Sequence, residues 1–220
     1  LSDEARSTVN PGRGIAIVSL YTHHIASYAR VAEHNTRRYC MRHGYSYHVY
    51  RAIPEALPAD INGTWVKTWL LLQHFADHEW VIWVDADALF FNQSKRLEPL
   101  LEDRDLLLAK DLGGWPVNAG VMGFRTTPKN RDLLERIWER ITNVQDKTGT
   151  YTSMGDQYYV NEVLTQEQLI GPETVYDHLT INTPPHLATA DTLLVHFVNM
   201  GEPRRSAYMA DMDLASTRAG

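Results

Sequence analysis

The chain has 220 residues, 44% of them hydrophobic and 10% aromatic, with a formal net charge of -6 and a pI near 5.9. That content suffices to bury a sizeable core in one domain and excludes wholesale disorder, while the acidic balance excludes the basic field that a binder of polymeric nucleic acid needs. No run of about 18 apolar residues occurs, so no membrane span is expected, and a chain that begins at Leu1 leaves room for an upstream leader or anchor.

Residues 1–13 read as an N-terminal extension to a domain over 14–220. "GIAIVSLYT" (14–22) has the composition of a buried strand, and Ile25, Tyr28, Ala32 and Tyr39 then recur at helical spacing. "YSYHVYRA" (45–52) alternates like a second strand, "PEALPADINGT" is a loop, and "WVKTWLLLQHFADH" (65–78) predicts a helix with Trp65, Trp69 and Leu72 on one stripe. The third strand, in "VIWVDADALFFN" (81–92), ends in two acids. "LLLAKD" (106–111) and "GVMGFR" (120–125) are further strands, and a helix over 129–143 presents Leu133, Leu134, Ile137, Trp138 and Ile141 to the core. A helix over "DQYYVNEVL", a late strand "LLVHFV" (193–198) and a charged tail from Gly201, helix or lid, complete the chain. Alternating strands and helices imply an α/β domain with a mainly parallel, Rossmann-like sheet flanked by helices, which explains why "WVIWV" is apolar throughout.

Cys40 is the only cysteine, so no internal disulfide can form, which leans toward a reducing compartment such as a bacterial cytoplasm. Two glycosylation sequons, Asn62-Gly-Thr and Asn92-Gln-Ser, point instead to a lumen such as the Golgi, reached if an upstream anchor has been removed.

The chemistry gathers at strand ends. In open α/β sheets ligands bind beyond the carboxyl ends of the strands, where Asp85 and Asp87 lie. Two residues apart on a regular strand they face one ligand; a bend at Ala86 would divide their roles. Unpaired carboxylates there repel each other and cost desolvation, which a divalent cation offsets; otherwise one caps a turn and the other meets a lysine. His196 is either a core histidine or, with the acids, the third ligand of a set that suits Mn²⁺ better than Mg²⁺. Asp156 is a helix N-cap or a site acid. Lys67 is a solvated helix edge or a site cation, and Arg204 and Arg205 clamp phosphate or face water.

An apolar strand ending in Asp-x-Asp, then Asn118-Ala119-Gly120, then Gly-Asp-Gln (155–157), then Val-His-Phe (195–197) resembles the metal-dependent glycosyltransferases of the GT-A fold. Within them it is similar to the fungal Golgi galactosyl- and mannosyltransferases and plant xyloglucan xylosyltransferases. "WVKTWLLL" shares the likeness, and the late His-x-x-Gly pattern is here "HFVNMG". The resemblance implies a nucleotide-sugar donor, a uridine diphosphate sugar (galactose, glucose or xylose) or guanosine diphosphate mannose, held on Mn²⁺ or else Mg²⁺. It implies transfer with retention to a glycan or small hydroxyl acceptor. Asp87 and His196 are then metal ligands, and Asp85 serves the metal or the donor ribose. Ser19, Leu20 and Thr22 line the nucleotide pocket, Lys67, Asn118, Ala119 and Gly120 face the donor, Arg204 and Arg205 reach the phosphates, and Asp156 and Gln157 are the catalytic pair.

Two other classes compete. A haloacid-dehalogenase-like phosphatase also uses Asp-x-Asp, as nucleophile and acid, but after its first strand and before a small or hydroxyl residue, whereas here "ALFF" follows. A non-catalytic sugar-binding module fits six Trp and eleven Tyr but not the metal set.

Overall fold

The computed structural model describes residues 5–12 and 14–218. Arg6–Val9 (β1), inside the stretch read as an extension, forms an edge strand; β2 (Ile15–Leu20), α1 (Ala26–His43), β3 (Ser46–Tyr50), α2 (Lys67–His74) and β4 (Trp80–Val84) follow. Then come β5 (Ala88–Phe90), β6 (Leu106–Ala109), β7 (Val121–Arg125), α3 (Pro128–Thr142), α4 (Asp156–Gln166), β8 (Val175–Tyr176), β9 (Leu194–His196) and α5 (Arg204–Ser216).

Seven strands make one sheet in the order β1-β3-β2-β4-β7-β6-β8, and β5 pairs with β9 in a separate two-stranded ribbon. Five strands (β3, β2, β4, β6 and β8) run one way; β1 and β7 oppose them. The sheet is therefore mostly parallel in direction, as the pattern predicts, with β7 the reversed strand that closes back on β4. Every residue of β4 is buried, because one apolar layer packs against α1 and α5 and a second against α2, α3 and α4. A strand covered on both faces needs apolar residues on both.

Local signals set the helix ends. Gly44, at φ 75°, ends α1 with its N–H on Cys40 O, the left-handed turn that glycine permits. Thr127 caps α3 by accepting from the Asn130 N–H, with Pro128 in the first turn.

Two expected elements are present and differ in detail from the sequence pattern. The second strand alternates in sequence, yet all five residues of β3 are buried, because α1 packs on Tyr47 and Val49 on one face and His74 of α2 packs on His48 and Tyr50 on the other. The helix expected over 65–78 is a short 3-10 turn over Gly63–Val66 followed by α2. The change of pitch rotates the stripe: Leu70 and Leu71 are fully buried with Trp65, while Trp69 and Leu72 are only half-buried. No helix among the described residues is long and apolar enough to cross a membrane.

Candidate active site

β4 ends at Val84, and the chain turns at once. The Asp85 N–H donates to Gly120 O at 2.8 Å and the Ala88 N–H to Asp85 O at 3.1 Å, which closes a turn across Ala86. The strand resumes as β5, paired with β9 rather than with the sheet. The bend is thus the arrangement adopted, and the two acids divide their partners.

Asp85 faces a buried cation. Trp83 Nε1 donates to its Oδ1 at 2.6 Å, and Lys67 Nζ lies 3.0 Å from the same oxygen. Lys67 is only 5% exposed, so it is no solvated edge; the 3-10 turn before it aims it inward. Its ammonium also lies 3.1 Å from Asp156 Oδ2 and donates to Ala119 O at 3.2 Å. Burial alone would push Lys67 toward neutrality, but Asp156 and Asp85 outweigh it and hold its pKa above the ordinary value. Burial raises the Asp156 carboxyl; Lys67 opposes that shift and Asp85 adds to it. The cap of α4 is Gly155, at φ 76°, so the Asp156 carboxylate is committed to Lys67 rather than to the helix.

Asp87 meets a different pair. His196 Nε2 lies 3.1 Å from its Oδ1 and Arg205 Nη1 3.1 Å from its Oδ2. Burial would raise the Asp87 carboxyl, yet His196, and then Arg205 and Lys67, bring it below the usual carboxylate range. Arg205 also donates to the Tyr28 hydroxyl at 3.0 Å.

His196 reaches the acids because β9 pairs with β5 in a register that sets it opposite Ala88. Its Nδ1 lies 2.7 Å from Asn182 Oδ1, and the Asn182 amide is oriented by its own donation to Lys110 O at 3.0 Å. Nδ1 therefore carries the ring proton, assigned from this network. Nε2 then faces Asp87 Oδ1 at 3.1 Å and Asp85 Oδ2 at 3.9 Å. A lone pair facing carboxylate oxygens is repulsive unless a positive centre lies between them, whether a second ring proton or a metal ion. One ligand atom from each of Asp85, Asp87 and His196 lies within 4.8 Å of the others. Two carboxylates and an imidazole oriented from behind fit a divalent cation by donor chemistry.

The segment Asn118-Ala119-Gly120 closes the wall. Asn118 Oδ1 accepts from the Gly120 N–H at 2.8 Å, Asn118 Nδ2 donates to Asp111 Oδ1 at 2.8 Å, and Gln157 Oε1 accepts from the Ala119 N–H at 2.9 Å. A Cβ on Gly120 would stand 2.1 Å from His196 Cε1 and 2.9 Å from Asn118 Oδ1, so only glycine lets the imidazole occupy its place. Gly120→Ala is accordingly expected to displace His196 and weaken divalent-metal affinity by about 10–100-fold, the range for losing an orienting contact. Calorimetric metal titration measures this, with thermal unfolding as the check that the fold persists.

One contiguous cluster thus contains Lys67, Asp85, Asp87, Asn118, Ala119, Gly120, Asp156, Gln157, His196 and Arg205. Ser19 and Leu20 are buried within β2, Ser19 Oγ donating to Val84 O at 2.7 Å. Thr22 is half-buried just past the strand, beside a cavity of about 340 Å³ lined by Tyr21, His23, Arg30 and Arg51. Arg204 is exposed at the start of α5. Three partners escaped the sequence reading: Trp83, Asp111 and Asn182. Asp111 carried a signal, since it too is an acid just beyond a strand; Asn182 carried none.

The chain is similar to known proteins in part of its sequence and in its fold. Residues 21–113 match the galactosyl transferase GMA12/MNN10 family. An alpha-1,2-galactosyltransferase of Schizosaccharomyces pombe is 32% identical over 108 residues, 44% of this chain and 28% of its own length. A second, uncharacterised alpha-1,2-galactosyltransferase of that organism is 33% identical over 116 residues, 48% of this chain and 30% of its own length. The matched stretch therefore spans less than a third of either relative. Among solved structures, a glycosyltransferase involved in glycosylation of the major capsid of PBCV-1 superposes with a TM-score of 0.70 at 22% identity, covering 90% of this chain and 98% of that one. The galactosyltransferase LgtC superposes with a TM-score of 0.57 at 15% identity, covering 91% and 95% of the two chains. The structural likeness shows the GT-A fold, and the resemblance carried by the motifs holds.

Proposed function

We propose, for a chain that has the GT-A fold and resembles the galactosyl transferase GMA12/MNN10 family over residues 21–113, that it is a metal-dependent retaining glycosyltransferase. It moves a hexose or pentose from a nucleoside diphosphate sugar to a hydroxyl of a glycan or smaller acceptor, giving an α linkage. The donor is a uridine diphosphate sugar, with guanosine diphosphate mannose as the alternative. The observation that carries this reading is the Asp85, Asp87 and His196 set, with His196 Nε2 turned toward both carboxylates while Nδ1 meets Asn182. The imidazole favours Mn²⁺ over Mg²⁺.

An ion held there would supply Lewis-acid stabilisation of the charge that develops on a leaving diphosphate. The chain's own groups do the rest. Arg205, now on Asp87, is placed to exchange that carboxylate for a phosphate oxygen. Lys67 fixes Asp85 and Asp156 in one geometry, and Gln157 fixes the Asn118 to Gly120 wall through the Ala119 N–H. Asp156 then orients the donor hydroxyls, while the Gln157 carbonyl, with one lone pair beyond its Ala119 bond, steadies the positive charge growing on the anomeric carbon.

A carboxylate beside a buried ammonium is a poor nucleophile. The pairing of Asp156 with Lys67 therefore favours attack and departure on one face of the sugar, with the leaving diphosphate accepting the acceptor's proton, over a covalent intermediate on Asp156. Thermal shift with a panel of nucleotides and nucleotide sugars, with and without Mn²⁺, is expected to single out one diphosphate base and to require the metal. Proton NMR of the first-formed product is expected to show an α anomer from an α-linked donor. A β-linked product, or nucleotide binding indifferent to metal, would overturn the reading.

A further inference from the structure

A second cluster of ligating side chains lies at the end of β4 opposite Asp85, and no step of the transfer uses it. His48 sits mid-strand on β3, His74 ends α2, and His78 precedes β4; all three are buried. One nitrogen from each lies within 4.8 Å of the others, and His48 Nε2 is 3.0 Å from His78 Nε2. We propose that His48, His74 and His78 form a structural site for a zinc-type transition-metal ion that ties the edge strand β1, through β3, to the helix and turn leading into β4.

The outward nitrogens support it. His48 Nδ1 is 3.1 Å from Thr8 Oγ1 on β1, and His74 Nε2 is 2.9 Å from the Tyr50 hydroxyl. His78 Nδ1 is buried and, among the described residues, without a well-formed hydrogen bond, although the Gly12 backbone is close enough to favour its protonated form. His48, held from behind by Thr8 with its Nε2 turned to His78, shows the pattern of an imidazole ligand. The two Nε2 atoms at 3.0 Å share one N–H···N bond, and the polar atom of the cluster that hydrogen bonding leaves unmet is the buried His78 Nδ1.

The lone pairs are available at neutral pH. Burial, with the neighbouring imidazoles and Arg6, pushes His48 down to about 4 and His74 to about 3, and burial lowers His78 as well. Three neutral nitrogens and no carboxylate select zinc-type ions over Mn²⁺ or Mg²⁺, so the two sites take different metals. Filling the site requires His74 to swing its Nδ1 edge toward the other two, because its ring now stacks on His48 with centroids 3.8 Å apart. Arg6, whose charge disfavours a proton here, opposes a divalent ion more strongly still.

The test uses untagged, metal-stripped Asp87→Ala protein, which lacks the carboxylate site, titrated with Co²⁺ as a visible stand-in for Zn²⁺. Expected are one bound equivalent, the visible absorption of cobalt held by three imidazoles with water as the fourth ligand, and its displacement by Zn²⁺ with a rise in melting temperature. Thr8→Val in the same background should weaken binding by about 10–100-fold, and His48→Gln should abolish it. Absence of a bound equivalent, or a band that survives His48→Gln, overturns the proposal. If His48→Gln does not fold, Thr8→Val decides: an affinity equal to that of the parent overturns it too.

Discussion

Asp87→Asn is expected to lose turnover by on the order of 1,000-fold, and with it metal-dependent nucleotide binding, while melting close to the parent. The reasoning starts from what the carboxylate holds: His196 Nε2 on one oxygen and Arg205 Nη1 on the other, both at 3.1 Å. The amide keeps the volume and one acceptor for Arg205, so packing and much of the hydrogen bonding survive. It removes the charge a divalent ion needs, and where loss of a group behind a ligand costs about 10–100-fold, loss of the ligand itself costs more. A purely structural Asp87, present to seat α5 through Arg205, predicts the reverse: a lowered melting temperature with Mn²⁺ affinity intact. Calorimetric Mn²⁺ and nucleotide titration beside a melting curve separates the two.

Much of this site was legible in the sequence because its elements are local. The apolar run "WVIWV" before two acids identifies a covered strand that ends at a ligand edge, and β4 is that strand. Helices α1, α3 and α4 follow from apolar spacing, whereas the cap of α4 falls on Gly155 and not on Asp156, the cap residue that the sequence suggests. What the sequence hides is register and approach. Whether Asp85 and Asp87 share a face depends on the turn across Ala86, which long-range bonding to Gly120 produces. The need for glycine at 120 appears only once β9 brings His196 within 2.1 Å of a would-be Cβ. Likewise His74 and His78 are one helical turn apart but lack their third member until β3 places His48 between them and Thr8. Such facts belong to strand pairing among residues distant in sequence, and no local pattern encodes them.

The same distance from local pattern hides Lys67, whose removal carries the largest expected cost in stability. Its ammonium, 5% exposed, sits between Asp85 and Asp156 at 3.0 and 3.1 Å. Lys67→Met preserves the length of the chain and its apolar packing but leaves two carboxylates facing each other without the cation. Breaking a buried pair by deleting one partner costs about 3–5 kcal/mol, which in a domain of this size lowers the melting temperature by on the order of 10 °C. The cost lies in the stranded charges rather than in lost contacts, so the double variant Lys67→Met, Asp156→Asn should recover most of it, a coupling between touching residues that a double-mutant cycle measures. Activity should not recover with stability, because the double variant lacks the Asp156 carboxylate and has no ammonium to hold Asp85 in place. A melting temperature within a degree or two of the parent in Lys67→Met would mean that water already reaches both acids. Lys67 would then be a donor contact rather than the post on which the site is built.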